Sequence, residues 1–95
     1  MKIREHMKLL GMRVADKVTG QTGVVTSISF DLFGCIQAVV VPPIGKDGVQ
    51  PDGGWFDVRR LNVTGSLPVM PAPDFEAGYI AEGRKGAADK PARSW

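Results

Sequence analysis

The feature that most constrains how this chain can fold is an alternation of period two that runs from Met12 to Val41 with two interruptions. Successive side chains of a β-strand point to opposite faces, so this pattern predicts strands and not helices. The interruptions, at residues 19–23 and 31–34, are short and contain glycine, as turns between antiparallel strands do. Prolines at positions 42 and 43 end the pattern, because proline cannot continue a hydrogen-bonded ladder. This part of the chain is therefore predicted to form a meander of three strands.

Two more strands are predicted after the meander, at residues 55–58 and 61–64, joined by a single helical turn. A loop over residues 42–54, dense in proline, glycine and aspartate, precedes them. Five short strands are too few for a sandwich, so residues 11–64 are predicted to form a small, strongly bent barrel. In the second strand, unbroken alternation predicts one shared face for the side chains of Val24, Thr26, Ile28 and Phe30.

The two ends of the chain differ in composition from this β region. Ile3, Met7 and Leu10 recur at helical spacing and predict a short N-terminal helical segment within residues 1–10. Residues 65–95 contain prolines and glycines without a sustained period, which predicts a flexible C-terminal tail. The predicted organisation is thus a helical segment, a small β domain and a tail.

The cysteine and histidine content limits the chemistry of the chain. It has one cysteine, Cys35, and one histidine, His6, whereas a structural zinc site takes about four such ligands. Cys35 lies in an apolar run and is predicted to be a small buried hydrophobe, and His6 is predicted to be a surface residue. No nucleophile–base pair and no phosphate-cradling loop is evident. We therefore predict that the chain is not an enzyme, with no catalytic residues, metal or cofactor.

The charge distribution gives little support for nucleic-acid binding. The formal net charge is +2, but residues 11–64 carry five lysines and arginines against five aspartates. A binder of phosphate backbones presents a clustered basic face. The longest apolar run, residues 38–43, is far shorter than the roughly 20 residues of a membrane-spanning helix. No signal-peptide core is evident, so a cytoplasmic location away from membranes is predicted.

Five residues are the candidates for binding a ligand or a partner protein. Trp55, Arg59 and Arg60 form a basic–aromatic cluster that could hold an anionic or peptide ligand. Alternatively, the arginines could pair with aspartates at 52 or 57, and Trp55 could close one end of the barrel. Phe75 and Tyr79 in the tail could anchor that segment in a groove.

The stretch from Gly11 to Thr26 has a polar turn between two strands, with glycine on both sides. It resembles the first hairpin of a Src-homology-3-like barrel and the KOW pattern of ribosomal and transcription-elongation proteins. Across residues 11–64, the sequence is also similar to short uncharacterised bacterial proteins of prophages and other mobile elements, of the integron-cassette type, in its motifs at 14–20, 23, 34–37, 41–43 and 55–61. This resemblance implies a mainly β fold, a small five-stranded Src-homology-3-like barrel, and brings no catalytic residues with it.

Three functions follow, in order of preference. The first is a non-enzymatic protein-binding or assembly module from a mobile genetic element, acting through the loop 42–54, Trp55 and the tail. The alternative is a KOW-like nucleic-acid-binding barrel. The third is a pore-type enzyme, because residues 11–14 resemble the start of the type II dihydrofolate reductases, although their Val-Gln-Ile-Tyr motif has no match here. A domain this small has a marginal core, so a homo-oligomer is also predicted.

Overall fold

The computed structural model describes residues 3–77, and in this range the predicted mainly β fold with five strands is confirmed. The strands are β1 (Arg13–Asp16), β2 (Thr22–Phe30), β3 (Ile36–Val41), β4 (Gly54–Asp57) and β5 (Leu61–Val63). A short helix, α1 (Ile3–Met7), precedes them, and single 3-10 turns lie at Val58–Arg60 and Phe75–Ala77. All pairings are antiparallel, in the spatial order β4-β3-β2-β1-β5.

The sheet is not closed into a barrel, so the prediction of a small, strongly bent barrel is confirmed only as a five-stranded antiparallel sheet. Among the described residues, β4 pairs with β3 and β5 pairs with β1, and no pairing joins β4 to β5. Closure needs the two end strands to run side by side and exchange hydrogen bonds. Here β4 and β5 are four and three residues long and lie at opposite edges of the sheet. The short turn Val58–Arg60 connects these edges directly, which requires the sheet to bend strongly.

A β-bulge at Thr26 overturns the predicted face of β2. Val25 lies opposite Val40, but the next paired residue, Ser27, lies opposite Val39, so Thr26 is the extra residue. An extra residue shifts the alternation by one position and bends the strand. Val25 before the bulge and Ile28 after it therefore face the same core, while Thr26 is exposed. Unbroken alternation would have placed Val25 and Ile28 on opposite faces.

The core is small and lies on the concave side of the bent sheet. Its buried side chains are contributed by β1, β2, β3 and β5: Val14, Val25, Ala38, Val40 and Leu61. Phe56 and Val58 pack against this cluster from one edge, and Leu9 and Leu10 pack from the segment after α1. Short aliphatic residues dominate because strands this strongly bent leave little space between their inner faces.

Residues after β5 turn back along the start of β1. The amide of Thr64 donates to the carbonyl of Arg13 at 2.9 Å, and the amide of Val69 donates to the carbonyl of Gly11 at 2.7 Å. Glu76 then forms an ion pair with Arg4 of α1 at 3.0 Å. The beginning of the predicted tail is thus held against the domain, and residues 78–95 lie outside the described residues.

Candidate functional site

The described chain contains an apolar groove with a volume of about 1050 Å³. It lies between α1, the second half of β2 and the segment 69–75 that returns from β5. Its lining is mostly aliphatic, aromatic and proline side chains, including Met7, Leu10, Ile28, Phe30, Met70 and Phe75. A concave, apolar surface of this size is typical of a binding site.

The wall of the groove formed by residues 69–75 depends on Gly11. This glycine has a φ of +82°, a conformation that other residues rarely adopt, and its carbonyl accepts the hydrogen bond from Val69. The prolines at 71 and 73 then favour an extended backbone that cannot pair as a regular strand. Val69, Met70 and Phe75 remain about half to two-thirds exposed, so this wall presents apolar side chains that the fold itself does not cover.

The groove contains an open strand edge. On the side away from β3, β2 pairs with β1 and the residues before it only up to Val25. The amide of Asp31 donates to the carbonyl of Cys35 on the β3 side, and backbone groups along a strand alternate in direction. The backbone groups of Phe30 and Ile28 therefore point away from β3, where no strand lies within residues 3–77. Both residues line the groove.

Charge is sparse in this groove. Among its lining residues, Arg13 carries the only ionisable side chain. Residues 3–77 as a whole contain seven lysines and arginines against eight aspartates and glutamates. The described surface therefore offers an apolar ligand a large contact area and offers a phosphate backbone no excess of positive charge.

Trp55 lies away from the groove. It is placed on β4 opposite Val39, and its side chain is 55% exposed. The neighbouring Phe56 points to the core side of the sheet and packs there. Trp55 consequently occupies the outer face of β4, available to a partner, and does not plug the end of a barrel.

Arg60 belongs to a structural ion pair. Its guanidinium donates to both carboxylate oxygens of Asp16, at 2.8 and 2.6 Å, and lies over the ring of Phe56 at 5.2 Å from the centroid. The Asp16 carboxylate also accepts from the hydroxyl and amide of Thr19. The Arg60 hydrogen bonds, followed by those of Thr19, hold the pKa of Asp16 well below its usual range. This ion pair joins β1 to the turn before β5, so the role of Arg60 is to stabilise the fold.

Arg59 points into solvent and pairs with Asp57, as the alternative interpretation expected. Its Nε and one terminal nitrogen donate to the two carboxylate oxygens of Asp57, at 3.0 and 2.8 Å. Asp57 also caps the 3-10 turn by accepting from the Arg59 amide. These hydrogen bonds lower the pKa of Asp57 to about 2.

Of the remaining binding candidates from the sequence, some line the groove and one lies outside the described residues. Phe75 lines the groove, and so do Pro42 and Pro43 at the start of the predicted loop 42–54. Tyr79 lies outside the described residues. Reasoning from the sequence missed the floor of the groove, because the open edge exists only once β1 has paired with half of β2.

Two predictions about single residues are wrong. Cys35 is exposed, because it ends the turn after β2, where its amide donates to the carboxylate of Asp31 at 2.8 Å. His6 is only 8% exposed, and its ring packs edge-on against Phe30 with 6.3 Å between ring centroids. The two residues, far apart in sequence, line the same small pocket.

The described residues hold no group of three or more histidine, cysteine, aspartate or glutamate side chains that could bind a metal ion. No helix within residues 3–77 is long and apolar enough to span a membrane. Comparisons with protein-family models, curated proteins and solved structures found no match to this chain.

Proposed function

We propose that this chain is a non-enzymatic protein-binding module that takes up an extended, apolar segment of a partner protein as an additional strand along β2. The observation that carries the proposal is the open edge of β2 at Ile28 and Phe30, which lies in the apolar groove. An unpaired edge offers donors and acceptors in the right spacing for an incoming strand. Main-chain hydrogen bonds supply affinity in such complexes, and side-chain pockets supply specificity.

The dimensions and charge of the site define its occupant. The edge runs from Thr26 to Phe30, five residues or about 17 Å at the usual rise of a strand. The partner segment is therefore about five residues long where it pairs. Because the groove walls are apolar and Arg13 is its only charged lining residue, alternate side chains of the segment are apolar.

The other hypotheses gain less from the structure. A nucleic-acid interface lacks an excess of basic residues among residues 3–77, and both Arg59 and Arg60 are paired with aspartates. We also propose that the sheet is an open form of the Src-homology-3-like arrangement, supported by its strand order, its bent β2 and the 3-10 turn before β5. The proposed origin on a mobile element and the proposed cytoplasmic location are supported by the sequence alone.

The test uses a phage-displayed library of random peptides, selected against the full-length chain. Two variants form a matched pair, since Met70 and Leu67 lie in the same segment and are 70% and 75% exposed, but only Met70 lines the groove. Met70→Glu places a carboxylate in the groove and should weaken the selected peptides by about tenfold or more, because a buried unpaired charge is costly. Leu67→Glu should leave their affinity unchanged.

Amide chemical shifts locate the bound peptide independently. On titration with a selected peptide, the amides of Ile28 and Phe30 should shift downfield as they gain hydrogen-bond partners. Selected peptides that are unaffected by Met70→Glu and lose affinity with Trp55→Ser would move the binding surface to the outer face of β4. That result would refute the groove as the site.

A further inference from the structure

A second pocket, which shares no lining residue with the groove, lies where the turn after β2 meets the turn after β4. Its volume is about 250 Å³, enough for a small molecule and too little for a protein segment. It is lined by His6, Phe33, Gly34, Cys35, Ile36, Asp57, Val58 and Arg59. A cysteine, a histidine and an arginine thus line one pocket that the proposed binding function does not use.

The thiol is free and accessible. Cys35 is exposed, and because it is the only cysteine of the chain it cannot form a disulfide with another part of the same molecule. Its backbone is held in place by the carboxylate of Asp31, which accepts from the amides of both Cys35 and Phe33. The sulfur is therefore presented from an ordered turn.

His6 supplies an independent indication of a ligand. Its side chain is more than nine-tenths buried, and its Nδ1 atom is buried without a hydrogen-bond partner. Buried polar atoms are almost always paired, so an orphaned nitrogen in a pocket wall indicates a group that completes it. His6 lines the same pocket as Cys35.

The positive charge of Arg59 indicates that the ligand of this pocket is an anion. Its pKa is raised mainly by the hydrogen bonds and charge of Asp57, and to a smaller extent by the charge of a Cys35 thiolate. Because Arg59 and Cys35 line the same pocket, the positive charge of Arg59 favours an anion that enters it. Asp57 opposes this attraction in part, since its carboxylate pairs with Arg59 and lines the same pocket.

We propose that Cys35 is a thiol-modification site that forms a mixed disulfide with a small disulfide bearing carboxylates. The Cys35 thiolate attacks one sulfur of the ligand, a new S–S bond forms, and the ligand's S–S bond breaks. The other half leaves as a thiolate with the bonding electron pair, so no external oxidant is required. Arg59 attracts the carboxylate, and His6 Nδ1 pairs with a polar group of the bound half.

The experiment compares two probe disulfides on the full-length chain, the dianionic dithiobis(nitrobenzoate) and the neutral dithiodipyridine. The released aromatic thiol is followed by absorbance, and the adduct on Cys35 is verified by mass spectrometry, with Cys35→Ser as the blank. The measured quantity is the rate constant for the reaction of Cys35 with the dianionic probe, divided by the rate constant for its reaction with the neutral probe. This ratio should be higher in the native chain than in the chain unfolded in urea.

Two variants make opposite predictions for this ratio. Arg59→Gln should lower it by about two- to fivefold, the size of effect expected from one exposed charge. Asp57→Asn should raise it, because Arg59 then faces the pocket without a neutralising partner. Lys46→Gln, which removes one positive charge at an exposed position that lines neither the pocket nor the groove, should leave it unchanged.

The two outcomes are separable from the peptide-binding result, since the probes and variants do not touch the groove. A native ratio equal to that of the unfolded chain, or a ratio insensitive to both Arg59→Gln and Asp57→Asn, would overturn the proposal. The expected pattern is a native preference for the anionic probe that falls in one variant and rises in the other.

Discussion

Gly11 is the position at which one added methyl group tests the docking of residues 68–70 on the sheet. Its φ is +82°, and a Cβ at this position would overlap the carbonyl oxygen of Met70 and contact Pro68 Cβ at 3.5 Å. Gly20 is the matched control, because its φ of +80° is nearly the same but nothing lies within 4 Å of the point that an added methyl group would occupy. Gly11→Ala and Gly20→Ala therefore place an alanine in nearly the same unfavourable backbone conformation. They differ in that only the methyl group at position 11 would overlap residues 68–70.

The expected magnitudes follow from these two environments. An alanine in the left-handed backbone conformation destabilises the folded state by about 1–2 kcal/mol. Alanine also makes the unfolded chain less flexible than glycine does, which favours folding by about 0.4–1 kcal/mol. Gly20→Ala should therefore lower the free energy of unfolding by roughly 0.5–1 kcal/mol. Gly11→Ala must in addition displace the Met70 carbonyl and break the hydrogen bond from Val69, worth about 0.5–1.5 kcal/mol. The free energy of unfolding should thus fall by about 1 kcal/mol more in Gly11→Ala than in Gly20→Ala.

Thermal unfolding followed by circular dichroism measures this difference. For a domain of this size, about 1 kcal/mol corresponds to a difference in Tm of about 4–8 °C. In a chain shortened to end at Gly65 the contact is absent, and the two variants should become equivalent. Equal Tm values for both variants in the full-length chain would show that residues 68–70 do not rest on Gly11, and the wall of the groove would lose its structural basis.

Three further results are expected. Val40→Ala should lower the free energy of unfolding in urea by about 2–3 kcal/mol, since Val40 is only 1% exposed. Val18 is 70% exposed, so Val18→Ala should change the free energy of unfolding by less than about 0.5 kcal/mol. Effects of similar size in the two variants would contradict the assigned core. The pKa of Asp16 is depressed in the folded state, so the stability that its pairing contributes is present above the unfolded pKa of about 4 and is lost as pH falls below it. Asp16→Asn should therefore lower Tm at neutral pH and flatten the decrease in Tm below about pH 4, and a parallel acid decrease in both proteins would refute the role given to this ion pair. Light scattering after gel filtration should give a mass above the 10.2 kDa of one chain, because no further strand pairs with the outer edge of β4 or β5 within residues 3–77. A monomer would exclude the proposed homo-oligomer.

The groove links these stability effects to the proposed function. Its two walls come from opposite ends of the described chain, α1 on one side and residues 69–75 on the other. They are connected by the ion pair between Arg4 and Glu76 and by the hydrogen bond between Gly11 and Val69. A change that releases residues 69–75 should therefore weaken peptide binding before it unfolds the sheet.

The sequence by itself determined the strands and the turns between them. Alternation from Met12 to Val41, the prolines that follow and the short connection before β5 depend on near neighbours in the chain, and these signals placed all five strands correctly to within a few residues. The aliphatic composition of the core could be expected from the residues of these strands, but the core face of β2 could not, since the bulge at Thr26 interrupts the period of two.

Only the tertiary structure decided how these strands meet. The bulge at Thr26, the pairing of Asp16 with Arg60 across 44 residues, and the open edge at Ile28 and Phe30 all depend on strand register and on the bend of the sheet. Register is set by which side chains pack together in the core, and no local pattern records that choice. The same packing placed His6 and Cys35 in the lining of one pocket, which therefore exists only in the folded chain.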